Sequence, residues 1–249
     1  MKHIVSFSGF LIRSILIVIV TICYSLIAIV CGFIGIRSAY FSLSRQWSAV
    51  LLFLAGVHVN IRGLEHLEPV QSRIYVVNHT SYFDIPIVLA SIPDTIRIMY
   101  RKNLERIPFL GWSIARSPFI GIKREKARDA MKGIDEAVLS ISIGESVLIF
   151  AEGTRSVNGR LGQFKRGAFL LASRSGKPIV PIALEGAHHV MPKNSLRFFP
   201  GKVSITCLPQ FETTTSMSKE QELDLLKAVH ASIDAALPDE MKSLKGDES

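Results

Sequence analysis

Val147-Leu148-Ile149-Phe150-Ala151-Glu152-Gly153-Thr154-Arg155-Ser156 sets an apolar run directly against a polar loop that carries a glycine. A short apolar run bounded by turn formers reads as a strand buried on both faces. The loop that follows such a strand is where α/β folds hold ligands. Here Glu152 offers a carboxylate and Gly153 permits close backbone approach. Arg155 adds a rigid guanidinium fork suited to phosphate. In isolation the same loop is an ordinary polar turn with a surface ion pair.

A second break of the same kind lies upstream. Arg73–Asn78 is an apolar strand candidate that runs into Asn78-His79-Thr80-Ser81-Tyr82-Phe83-Asp84. An imidazole at a strand end can take a proton near neutral pH when a partner fixes its tautomer. Asp84 is placed to be that partner. Five residues along a regular helix would put the two side chains ~140° apart. They meet only if the chain turns between them and His79 precedes the helix, which Thr80, Ser81 and Pro86 favour. The competing readings are a surface histidine and a helix cap, since Ser81 to Asp84 also matches a capping box. No GxSxG turn is present, and no cysteine lies near a histidine in sequence. A proton taken by His79 would then come from a substrate hydroxyl, without a covalent intermediate.

Between and beyond these loops strands and helices alternate. Strands are expected at Ile96–Tyr100, Pro118–Lys123, Ile179–Leu184 and Lys202–Leu208. Helices are expected at Pro86–Ser91, Glu125–Ser142, Phe164–Ser175 and Lys219–Leu237, with Gly176 as a C-cap. Leu104–Arg116 reads as a turn entering a helix, and Lys242–Ser249 as a disordered tail. The pattern predicts an α/β fold, a mixed sheet flanked by helices. Lys123-Arg124 closes one strand and Lys165-Arg166 opens a helix. Each pair is an ordinary solvated charge pair alone, and a candidate anion contact at a shared sheet edge.

The chain has 249 residues, 48% of them hydrophobic, and a formal net charge of +8. Its mean hydropathy of +0.32 is high for a soluble domain. The excess is local: Ser14 to Ile36 is a 23-residue stretch without charge. That is the length of a bilayer crossing and exceeds the apolar core of a signal peptide, so a retained membrane helix is expected. Ser38–Val59 is apolar but interrupted by Arg45 and Gln46. It reads either as an interfacial helix or as a core helix, with Trp47, Leu51, Leu52, Leu54 and Ala55 near one face. Residues 1–59 are therefore expected to form a membrane-anchoring helical segment, and 60–249 the α/β domain. Residues 1–59 hold Lys2, Arg13, Arg37 and Arg45 and no acid, which favours anionic lipid. The remaining charges are mixed, without a basic run or aromatic ladder, which argues against nucleic acid as a partner. Cys23, Cys31 and Cys207 form no CxxC pair, and His188-His189 lacks metal-site spacing, so no metal is expected.

Taken in series, His79–Asp84, Phe119–Arg124, Phe150–Arg155 and Val180-Pro181-Ile182 resemble the four sequence blocks of the glycerolipid acyltransferases, specifically those acting on 1-acylglycerol-3-phosphate. The resemblance covers roughly residues 60 to 210. Ala151 stands where the family usually has proline, and Lys123-Arg124 where an Asp-Arg pair is common. The resemblance implies transfer of a fatty acyl group from acyl-CoA or acyl carrier protein to the free hydroxyl of lysophosphatidic acid, giving phosphatidic acid. It implies catalysis by His79 and Asp84, and acceptor binding by Glu152, Gly153, Thr154 and Arg155 with Lys123 or Arg124 on the phosphate. No metal or organic cofactor is implied. The water-soluble donor points to a site on the cytoplasmic face of the cell membrane. Three alternatives stay open: another acceptor on the same fold, a non-catalytic lipid-binding protein, and a hydrolase.

Overall fold

The computed structural model of the protein describes residues 7–67, 72–123 and 127–244. Arg124 and the last residues of the expected disordered tail lie outside the described residues. The start of that tail is held in place: Lys242 pairs with Asp239 at 2.6 Å, and the Ser243 amide donates to Asp234 at 2.6 Å.

Two helices lead, α1 (Phe7–Ile34) and α2 (Arg37–Ala55). Strand β1 (Val57–Arg62) follows at once, then β2 (Ile74–Val77), α3 (Asp84–Ser91) and β3 (Ile96–Arg101). Next come α4 (Leu110–Ile114), β4 (Ile120–Ile122), α5 (Ala127–Ser142) and β5 (Ser146–Phe150). The chain closes with α6 (Gly167–Ser175), β6 (Ile179–Glu185), α7 (Ala187–Val190), β7 (Gly201–Cys207) and α8 (Lys219–Ala236). A 3-10 turn at Lys102–Arg106 precedes α4, so Leu104–Arg116 runs from a turn into a helix, one of 5 residues.

The strands form one sheet in the order β1-β7-β6-β2-β5-β3-β4. Strands β2 to β6 run parallel to one another, while β7 is antiparallel to β6 and carries β1 parallel beside it. The sheet is therefore mixed. Central strands are buried on both faces, which explains their unbroken apolar runs. Along β2 the side chains alternate between two cores. Tyr75 and Val77 join Leu51, Ile87 and Ile182 under α2 and α3, whereas Ile74 and Val76 join Ile134, Phe169 and Val229 under α5, α6 and α8. Each fully buried aliphatic side chain contributes about 1.5–3 kcal/mol to this assembly.

Strand β1 departs from expectation. The apolar run of α2 continues into Val57 and Val59, which hid a boundary that Gly56 sets. Gly56 takes a left-handed φ of 72° and its N–H bonds the Leu52 and Phe53 carbonyls, ending the helix. The expected division after residue 59 thus falls inside β1, and the sheet-forming domain begins at Val57. Of the two readings of α2, packing favours the core helix: Leu51, Leu52 and Ala55 are buried, and the helix lies between α1 and α3.

Residues 8–34 of α1 are long and apolar enough to cross a membrane, with Leu11, Ile15, Val18, Ile27, Val30 and Phe33 exposed. Yet the helix runs alongside the domain. Phe10 packs on Phe198 at 5.3 Å between ring centroids, Thr21 accepts from the Trp47 indole at 3.1 Å, and the Arg116 guanidinium lies 4.5 Å over the Phe33 ring. Those contacts are spread over ~35 Å of helix.

Candidate active site

Because β2 and β5 are parallel neighbours, both loops singled out in the sequence leave the sheet at the same edge. Asn78 follows β2 with its amide locked to the Leu184 backbone of β6, donating at 2.9 Å and accepting at 2.8 Å. The chain then turns, so His79 precedes α3 and Asp84 opens it.

The His79 Nδ1 lies 2.7 Å from Asp84 Oδ2. The same oxygen accepts from the Thr80 and Ser81 amides at 2.7 and 2.9 Å. Ser81 N–H to Asp84 is one half of a capping box. The other half is missing, because Ser81 Oγ accepts from the Phe83 N–H at 3.2 Å rather than from Asp84, while donating to the Met191 carbonyl. One buried carboxylate thus both starts the helix and orients the imidazole. With Nδ1 turned to Asp84, Nε2 is the nitrogen available to a substrate. Phe150 stacks on the imidazole at 4.0 Å and 23°.

The second loop grips the backbone of the first. Glu152 Oε1 accepts from the His79 N–H at 2.7 Å, and the Ser156 N–H donates to the His79 carbonyl at 2.7 Å. The other Glu152 oxygen accepts from Gly162 N–H at 3.2 Å. Burial pushes the Glu152 carboxyl up to about 7, against the two amides that lower it. The resemblance implies that Glu152 places the acceptor. In the structure its carboxylate is buried and turned to backbone amides, so it holds His79.

Gly153 adopts a left-handed φ of 72°, and a Cβ there would stand 3.1 Å from the Lys165 side chain. Thr154 is exposed at the tip of the turn. Arg155 stacks its guanidinium 3.6 Å from the Tyr82 ring centroid, while its Nη1 is buried without a hydrogen-bond partner. Lys123 is exposed at the end of β4, the edge strand, two strands or roughly 10 Å across the sheet from β5. Two strand spacings thus separate it from the strand that leads into the Arg155 loop.

Tyr82 and Phe83 also line an apolar cavity of about 550 Å³ enclosed by α1, α2, α3 and α4. Val18, Ala28, Trp47 and Leu89 are among its walls. Segment 79–83 thus carries the imidazole, the ring on which the guanidinium stacks and two residues of the cavity wall. Among the described residues no three His, Cys, Asp or Glu side chains gather as metal ligands.

Residues 58–185, just over half of the chain and inclusive of both loops, match the family model described as Acyltransferase. The chain belongs to the acyltransferase family. It is 32% identical over 196 residues to a 1-acyl-sn-glycerol-3-phosphate acyltransferase of Limnanthes alba, covering 78% of this chain and 69% of the relative. It is 32% identical over 160 residues to the chloroplastic 1-acyl-sn-glycerol-3-phosphate acyltransferase BAT2 of Brassica napus, covering 64% of this chain and 46% of that relative. The chain thus spans under half of the Brassica protein. The fold is similar to the crystal structure of the 1-acyl-sn-glycerophosphate (LPA) acyltransferase PlsC from Thermotoga maritima. That match has a TM-score of 0.69 at 24% identity and covers 90% of this chain and 95% of the other.

Several residues of this acyltransferase site were not singled out in the sequence. Phe150 and Ser156 carry a readable signal, since they flank the Glu152 loop. Asn78 had one too, as the first residue after β2. Lys193 had none: its Nζ donates to the Arg155 carbonyl at 2.5 Å across 38 residues of sequence.

Proposed function

We propose that the protein transfers a fatty acyl group from a thioester donor, acyl-CoA or acyl carrier protein, to the sn-2 hydroxyl of 1-acylglycerol-3-phosphate, forming phosphatidic acid. The observation that carries this reading is the 2.7 Å His79–Asp84 pair on a segment whose Tyr82 both stacks on Arg155 and lines an apolar cavity. His79 Nε2 takes the proton of the acceptor hydroxyl as its oxygen attacks the thioester carbonyl. Asp84 holds the tautomer and stabilises the imidazolium. The tetrahedral intermediate collapses with loss of the thiolate, to which the imidazolium returns the proton. An acyl chain occupies the cavity and the phosphate faces Arg155. The reaction so written balances without metal or organic cofactor.

The membrane setting follows from the same geometry. Lipid substrates partition into a bilayer at about 0.8 kcal/mol per buried CH₂, and a site at the interface avoids extracting them. Domain contacts from Phe10 to Phe33 favour α1 lying in one leaflet with its apolar stripe outward, with the site on the cytoplasmic side where the soluble donor is. Purified protein supplied with one labelled acyl donor and a panel of lysolipids tests the assignment. Labelled phosphatidic acid is expected as the main product. Donor cleavage at an equal rate without acceptor would mark a hydrolase instead.

A further inference from the structure

We propose that the phosphate of the acceptor is held by a cradle of three cations, Arg155, Lys165 and Lys193, and that the two lysines select for it. The inference rests on the acyl-transfer reading and names the residues that recognise its acceptor.

The three side chains come from separate parts of the chain and converge on one turn. Gly153 lies under the aliphatic stem and ammonium of Lys165: a Cβ there would meet Lys165 Cδ, Cε and Nζ, each at 3.1 Å. Lys193 reaches in from beyond α7, where Asn194 turns the chain with a φ of 66°. Its Nζ spends one donor on the Arg155 carbonyl at 2.5 Å. Its charge is also felt at Glu152, where it lowers the carboxyl pKa. Arg155 itself keeps a buried, unbonded Nη1.

Some cations of the neighbouring helix are neutralised within the protein. Arg166 pairs with Glu222 at 2.5 Å, and Arg174 with Asp135 at 2.5 Å. Among the described residues Arg155, Lys165 and Lys193 form no ion pair. The nearest carboxylate in sequence, Glu152, is turned inward to backbone amides. Mutually repelling cations on one turn, left without a protein counter-ion, fit a site completed by an anion. Two features match a phosphomonoester on a lipid. The guanidinium fork is flattened on Tyr82, and Tyr82 also walls the apolar cavity. Met191 and Phe198, on either side of Lys193, line that cavity as well, so phosphate and acyl chain are gripped from one segment.

Lys165→Met, Lys193→Met and Lys193→Arg, each checked for folding by circular dichroism, test the cradle by steady-state kinetics on membranes of neutral lipid. Each methionine variant is expected to raise KM for 1-acylglycerol-3-phosphate about tenfold, with kcat and the donor KM little changed and with Lys193→Arg near wild type. Competitive inhibition by free glycerol 3-phosphate should weaken in parallel. If Lys193 only straps the Arg155 turn, Lys193→Met will lower kcat and disturb the donor KM as well, which overturns the proposal. Unchanged acceptor KM in both methionine variants also overturns it. A wild-type protein that ignores lysophosphatidic acid refutes the acyl-transfer reading, and the cradle falls with it.

Discussion

Glu152 Oε1 accepts the backbone N–H of His79 at 2.7 Å, so the loop after β5 fixes the main chain from which the base of the β2 loop projects. His79 is thereby held at both ends: ring by Asp84 and Phe150, backbone by Glu152 and Ser156. A group that acts through its position needs this, since small displacements from reacting distance cost orders of magnitude in rate.

Glu152 should leave a signature in stability against pH. Its carboxyl is raised from about 4.5 to about 7 by burial, so the native state holds a proton that the unfolded chain releases. The stabilisation is fully present below pH ~4.5 and is lost as pH rises through ~7, by about 3 kcal/mol in all. Denaturant melts between pH 4.5 and 8 should show this fall in the wild type and a flatter profile in Glu152→Gln. Equal slopes in the two proteins would contradict the assignment.

His79→Ala should abolish acyl transfer while leaving the circular dichroism spectrum intact. Asp84→Asn can keep an oxygen toward the Thr80 and Ser81 amides but loses the charge that stabilises the imidazolium. Its kcat is expected to drop by about 10⁴, as for the buried aspartate of a serine-protease triad. Near-normal turnover in His79→Ala would sink the mechanism.

Direct attack leaves no acyl-enzyme. Incubating the protein with a labelled acyl donor alone, then denaturing it, should give protein free of label. A stoichiometric ester or thioester on any side chain would replace the ternary-complex mechanism by a two-step one.

The cavity wall should set which chains the enzyme accepts. Ala28 lines it from α1 and is buried. Ala28→Phe is expected to shift kcat/KM toward shorter acyl donors without altering the acceptor phosphate preference. Competition between donors of different chain length measures this, and an unchanged length profile would place the acyl chain elsewhere.

The His79–Asp84 pair was legible because its partners are close in sequence and the intervening residues announce a turn. So was the strand before each loop, because a buried parallel strand is apolar throughout. The target of Glu152 was not, since it lies 73 residues away and is set by strand order. Nor was the place of Lys123, which ends the strand at the sheet's edge. Lys193 was invisible for the same reason: nothing local marks a lysine whose partner is a distant carbonyl. Strand β1 was lost for a local reason, an apolar run shared between the end of a helix and the start of a strand.

The lie of α1 along the domain has a consequence for the membrane itself. On the proposed reaction, a helix that accompanies its domain for ~35 Å keeps the site on one side of the bilayer, and lipid substrate and lipid product would both belong to that side. Every turnover of that proposed reaction would add a second tail to a lipid of that monolayer alone. Its lateral area grows while its opposite number stays constant, and the sheet is driven to bend until lipids cross to even the count. The placement of one apolar helix thus ties this chemistry to one-sided growth and to whatever relieves it.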